Sequence, residues 1–190
     1  PVRELAALAR EHDAWLMTDD AHGVGVMGDG RGSSFMDGDK ADVPLQMGTL
    51  SKAVGVYGGY LCASRAVIDL IRTRARTLIY STGLPPGIVA AAIASLEIIA
   101  RAPQLCAAPL RKAQRFTRAL NLPDAQSPIV PLIIGDAARA LQLSAMLEDA
   151  GFLVTAIRPP TVPDGTARLR FTFSAAHRDA DIDRLASVLH

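Results

Sequence analysis

Lys52 stands among residues too small and too apolar to solvate its charge. The stretch MGTLSKAVGVYGGY, residues 47–60, sets it between Gly48 and the later glycines Gly55, Gly58 and Gly59. The chain carries seventeen arginines but three lysines, Lys40, Lys52 and Lys112, so a lysine at this place points to chemistry that arginine cannot perform. A guanidinium stays protonated, whereas a partly buried amine loses its proton and becomes a nucleophile or a base. The flanking glycines let backbone approach a ligand and lower the bulk around the amine. Taken alone, the stretch is also compatible with a solvated lysine in a glycine loop, since buried lysines are rare. A phosphate-binding P-loop does not fit, because GTLSKA lacks the glycine before the lysine and the Ser or Thr after it.

A second group of polar side chains lies upstream. Trp15, Leu16 and Met17 form an apolar run that ends in Thr18, Asp19 and Asp20, with His22 following. This predicts a buried strand with acids at its carboxyl end, the place where open α/β sheets receive ligands. Asp19, Asp20 and His22 do not make a metal site, since no further histidine or carboxylate cluster completes one. Residues 23–28 spell a literal GxGxxG, yet DGRGSSFMDGDKAD follows it without helical period. A dinucleotide fingerprint has to open a helix, so these glycines are expected to shape an ordered loop. An acid at a strand end, a histidine beyond it and a lysine after the next strand together match what pyridoxal 5'-phosphate requires: an amine for its aldehyde and an acid for its pyridinium nitrogen.

The elements that position these groups follow from periodicity. Helices are predicted over residues 2–10, 64–76, 88–100, 110–120, 137–150 and 181–189, and strands over 43–49, 60–63, 129–134, 152–157 and 167–173. Alternation of this kind predicts an α/β fold with a parallel or mixed sheet under helical cover. The helix containing AAAIASLEIIA is apolar almost all round and is expected to be buried between layers or subunits. NLPDAQSP, rich in breakers, marks a boundary between a domain over 1–122 and a small α/β domain over 123–190.

Composition narrows the classes further. Of 190 residues 49% are apolar and the net charge is +1, with the arginines scattered, which disfavours a nucleic-acid or membrane surface. No apolar run is long enough to span a bilayer and PVRELAALAREHD has no signal-peptide layout, so cytoplasm is the expected compartment. Cys62 and Cys106 have neither metal-ligand nor redox spacing and are expected to be reduced core residues. The chain opens on proline directly into an amphipathic pattern, as a piece of a longer chain would.

Four stretches, DDAHGVGVMGDGRG, GTLSKAVGVYGG, LIYSTGLPP and AIRPPTVPDGTARLRFTFSAAH, occur in an order that resembles the α-oxoamine synthases among the fold-type I pyridoxal phosphate enzymes. The resemblance implies the later part of that fold's large sheet domain plus its small C-terminal α/β domain. It implies that Lys52 bonds the cofactor and later acts as base, that Asp19 pairs with the pyridine nitrogen, that His22 contacts the phenolic oxygen, and that Thr49 lies near the phosphate. Ser81 and Thr82 would reach the phosphate of a neighbouring subunit, in a homodimer with a shared site. Arg158 and Thr161 match substrate-binding positions, and Arg170 is a second carboxylate-binding candidate. The implied reaction is a decarboxylating condensation of L-alanine with the acyl-CoA pimeloyl-CoA. Sister synthases using glycine or serine with another acyl-CoA, and a nicotinamide-dependent oxidoreductase using GVGVMG, are the alternatives. Family members run to about twice this length, so the chain is expected to lack the stacking residue and part of the phosphate site, and residues 1–190 alone are expected to be inactive.

Overall fold

The strand that leads to Asp19 lies parallel to the strand that leads to Lys52. In the computed structural model, which describes residues 1–189, β1 (Met17–Asp19) and β2 (Leu45–Thr49) pair in register Met17 with Leu45, Thr18 with Gln46 and Asp19 with Met47. β3 (Gly59–Cys62) then returns antiparallel to β2, giving a three-stranded mixed sheet in the order β1-β2-β3. The same part of the chain carries α1 (Val2–Glu11), α2 (Arg65–Arg74), the single turn α3 (Arg76–Ile79) and α4 (Pro86–Arg101). Ser64 caps α2 by accepting a hydrogen bond from the Val67 N–H, and Pro86 opens α4 where its missing N–H costs nothing.

The chain divides into two units, Pro1–Ala107 and Ala108–His190. The division falls inside α5 (Pro103–Ala119), ahead of NLPDAQSP, where the sequence predicts the boundary. The later half of α5 belongs with the second unit because Ala113 and Phe116 enter that unit's core. The helix also starts earlier than its periodicity suggests, accommodating Pro109 in its interior.

The second unit comprises β4 (Ile129–Gly135), α6 (Ala137–Asp149), β5 (Thr155–Ile157), β6 (Ala167–Thr172) and α7 (Asp179–Leu189). Its sheet has the order β4-β6-β5, with β6 antiparallel to both neighbours, so that the last strand made lies between the two made first. This is a split β-α-β arrangement. Alternation in β6 sends Ala167, Leu169 and Phe171 into the core. There they meet Phe116, Leu147, Ile182 and Leu185 from the helices. Phe116 lies 4.7 Å from Phe171 and 5.2 Å from Phe173, ring centre to ring centre. Each such fully buried side chain contributes about 1.5–3 kcal/mol. Asp136 caps α6 through a 2.7 Å hydrogen bond from the Arg139 N–H.

Several burial expectations fail in the first unit. Trp15 and Met17 are exposed where a buried strand is predicted, because β1 is an edge strand and its face toward Met17 has no cover within 1–189. α4 buries only Ala92, although its composition predicts burial on all sides. Cys106 is buried, but Cys62 at the end of β3 is exposed; both are free thiols. No single helix among the described residues is long and apolar enough to cross a membrane.

Candidate active site

The pleat decides which side chains meet. Asp19 pairs with Met47, so Asp19, Met47 and, two residues along, Thr49 project from one face of the first unit's sheet. β1 and β2 run parallel, so Asp19 and Thr49 both stand at carboxyl ends, and Lys52 follows in the turn beyond β2. Asp19 is held by an Asx turn: the Ala21 N–H donates to Oδ1 at 2.8 Å, which leaves Oδ2 for another donor. His22 is exposed in the same loop.

The turn carrying Lys52 is built around the Thr49 hydroxyl. It accepts from the Ser51 N–H at 3.2 Å, donates to the Gly58 carbonyl at 3.1 Å, and lies 2.7 Å from the Ser51 hydroxyl. The Gly58 carbonyl also accepts from the Leu50 N–H at 2.8 Å, and the Gly55 N–H returns to the Lys52 carbonyl at 3.0 Å. Thr49 therefore shapes the turn as well as standing at the strand end, and it brings up Ser51, a hydroxyl that the sequence reasoning passed over. Lys52 itself is exposed rather than partly buried, since nothing within 1–189 covers this end of the sheet. Among the lysines, Lys112 is committed elsewhere, donating to the carbonyls of Ala175 and His177.

Behind this face lies a layer of buried polar groups, of which the sequence pointed to Asp20 but not to its burial. Asp20 is 3% exposed and accepts a 2.6 Å hydrogen bond from the Ser33 N–H, closing the glycine-rich loop on itself. The fit requires glycine, because a Cβ on Gly23 would stand 2.2 Å from Asp20 Oδ1 and one on Gly32, at φ +104°, 3.0 Å from its carboxyl. The loop closes through a single-turn 3₁₀ segment, Ser33–Phe35, and opens no long helix, so GVGVMG lacks what a dinucleotide fingerprint needs. Ser34 donates to Gln46 Oε1 at 2.8 Å. Tyr60, opposite Gly48 on β3, occupies the space a side chain at Gly48 would fill, 2.5 Å from a Cβ built there. Burial first, then the charges of Asp20, Cys62 and Asp19, push its phenol up to about 12.

The remaining predicted residues are placed on separate turns and strands. Ser81 and Thr82 are exposed just beyond α3, with the Ser81 hydroxyl donating to the Leu78 carbonyl at 2.9 Å. Arg158 and Thr161 share a turn after β5, the Thr161 N–H donating to the Arg158 carbonyl at 3.1 Å across a cis Pro159–Pro160 bond. Arg170 lies mid-strand in β6, paired with Pro131 on one side and Thr155 on the other. Among the described residues, no cluster of three or more His, Cys, Asp or Glu side chains forms a metal site.

An amine, a carboxylate with a free oxygen, an imidazole and paired hydroxyls at one sheet edge are the donor set that a phosphorylated pyridine aldehyde calls for. Residues 1–189 match the model of the aminotransferase class I and II family, and the chain belongs to that family. Its relatives and structural neighbours there are α-oxoamine synthases, with the fold of the pyridoxal phosphate-dependent fold-type I transferases. The 8-amino-7-oxononanoate synthase of Methylocella silvestris is 65% identical over 189 residues, covering 100% of this chain and 54% of that protein. Among solved structures, Sphingomonas wittichii serine palmitoyltransferase superposes with a TM-score of 0.92 at 32% identity, over 99% of this chain and 49% of the other. The 8-amino-7-oxononanoate synthase of Francisella tularensis does so with a TM-score of 0.82 at 25% identity, over 98% and 57%. The chain spans about half the length of the curated relatives it matches.

Proposed function

We propose that these residues serve the decarboxylating condensation of L-alanine with pimeloyl-CoA to 8-amino-7-oxononanoate, a step of biotin synthesis, within a cytoplasmic homodimer. The observation that carries this is the sheet register, which sets Asp19 and Thr49 on one face at adjacent carboxyl ends with Lys52 in the next turn. Identity of 65% to the Methylocella silvestris synthase supports the substrate pair. The uncovered apolar surface of α4 supports a partner subunit or further chain against the first unit.

Pyridoxal phosphate, when bound, supplies the electron sink that makes the amino acid's α-carbon acidic. Lys52 would hold it through its amine and would serve as the base for the amino acid's α-proton. Asp19 would hold the pyridine nitrogen and favour its protonated form. His22 would contact the phenolic oxygen, while Thr49, with Ser51 beside it, and Ser81 and Thr82 would offer hydroxyls to phosphate. Arg158 and Arg170 hold the amino acid's carboxylate, with Thr161 fixing the turn that carries Arg158. A sister synthase with another amino acid is the second possibility, favoured by the closer superposition on serine palmitoyltransferase. The test is to add the cofactor, reduce with borohydride and map the pyridoxyl peptide. Label on Lys52, lost in Lys52→Ala, is the expected result; label on Lys40 or Lys112 overturns the assignment.

A further inference from the structure

Of the seventeen arginines, Arg168 and Arg170 are the two that are partly buried rather than exposed. Both project from the face of the second unit's sheet opposite its core, because Leu169 between them is buried. Their strand spacing sets them about 7 Å apart. Neither forms an ion pair with any carboxylate among the described residues. Register shows why: the cross-strand neighbours are Pro131 and Thr155 for Arg170, and Ile133 and Ile157 for Arg168. Two partly buried guanidiniums on one face, without an ion-pair partner among the described residues, can each take an anion from a ligand. Arg168 donates its Nε to the Thr166 carbonyl at 3.0 Å, which fixes the side chain and leaves the two terminal nitrogens for a second partner.

We infer that Arg168, flanked by Ile133 and Ile157, recognises the free carboxylate and methylene chain of an ω-carboxylated acyl donor and so determines which acyl thioester is accepted. The inference rests on the proposed condensation, in which both substrates bring a carboxylate. Two guanidiniums then serve two carboxylates, Arg170 taking the amino acid's and Arg168 the acyl chain's. The isoleucines give the methylene groups an apolar strip, and Ile133 is 54% exposed and available for it. A neutral fatty acyl chain would use the strip and leave Arg168 without a partner.

The test titrates the full chain by calorimetry with monomethyl pimelate and with methyl heptanoate, in which an ester replaces the thioester end so that the two differ only by the carboxylate at the far end of the chain. Monomethyl pimelate is expected to bind about tenfold more tightly, the lower end of what one charged hydrogen bond contributes. Arg168→Leu should erase that preference, and Arg168→Lys should retain part of it. Near-UV circular dichroism of the Phe116 cluster reports whether each variant is folded, and Arg168→Gln, which keeps the stem, replaces the leucine variant if it is not. Equal binding of the two esters, or a preference that survives loss of the guanidinium, overturns the inference. Equal binding with the pyridoxyl label still on Lys52 defeats this inference alone. A monomethyl pimelate preference with no label on Lys52 defeats the proposed reaction instead.

Discussion

The two units differ in whether they enclose large apolar side chains. In the second, Phe116, Leu147 and Leu169 are fully enclosed, and three helices close one face of a three-stranded sheet. In the first, Trp15 is 67% exposed, and Ile93 and Ile98 each 55%. Yet the first unit's buried polar residues, Asp20 and Ser34, are paired and ordered. The comparison teaches that a site's polar scaffold is set by local register and turns, whereas its apolar cover comes from whatever packs against it.

Substitution in the two units should therefore differ most where both residues are large and apolar. Phe116→Ala is expected to cost about 3–5 kcal/mol, as loss of an enclosed aromatic does. Ile93→Ala should cost less than about 0.5 kcal/mol in this chain, the usual range for an exposed position. Urea unfolding followed by far-UV circular dichroism measures both. Similar costs would break the contrast. A smaller effect is expected from Asp20→Ala, which leaves the Ser33 N–H unpaired at a cost of about 1–3 kcal/mol. Trp15, the one tryptophan, reports it by fluorescence from within the first unit. No change in its unfolding midpoint would mean the loop is held by its glycine turns alone.

A further contrast concerns Tyr60, through pH rather than truncation. Its phenol is raised to about 12 in the folded chain from 10.0. Between those values the folded state holds a proton that the unfolded state has lost. The stabilisation is thus complete below pH 10 and disappears as pH climbs toward about 12. Absorbance titration at high pH should show one late phenol, absent in Tyr60→Phe. If the late step persists in that variant, burial at Gly48 is not its cause.

Much of this was legible in the residues. Asp19 at a strand end and Lys52 after the next strand follow from apolar runs and polar punctuation, and both stand where those signals put them. The glycine-rich loop was legible as a loop because no helical period follows it. What was not legible depends on three-dimensional cover: the exposure of Lys52, Trp15 and Cys62, and the burial of Asp20 beside an exposed Asp19. Adjacent acids look alike in a string, and only the pleat turns one inward. Arg168 had a readable signal in ARLRFT, since strand alternation around Leu169 already puts both arginines on one side.

The order β4-β6-β5 has a consequence for synthesis on the ribosome. β4 and β5 leave it before the strand that joins them, so neither has its native hydrogen-bonding partner until β6 has been translated. Meanwhile IVPLIIG, β4, is an apolar strand with open edges, the kind of segment that neighbouring nascent chains on a polysome can capture. Pro131 within it removes one backbone donor and blunts that edge during the wait.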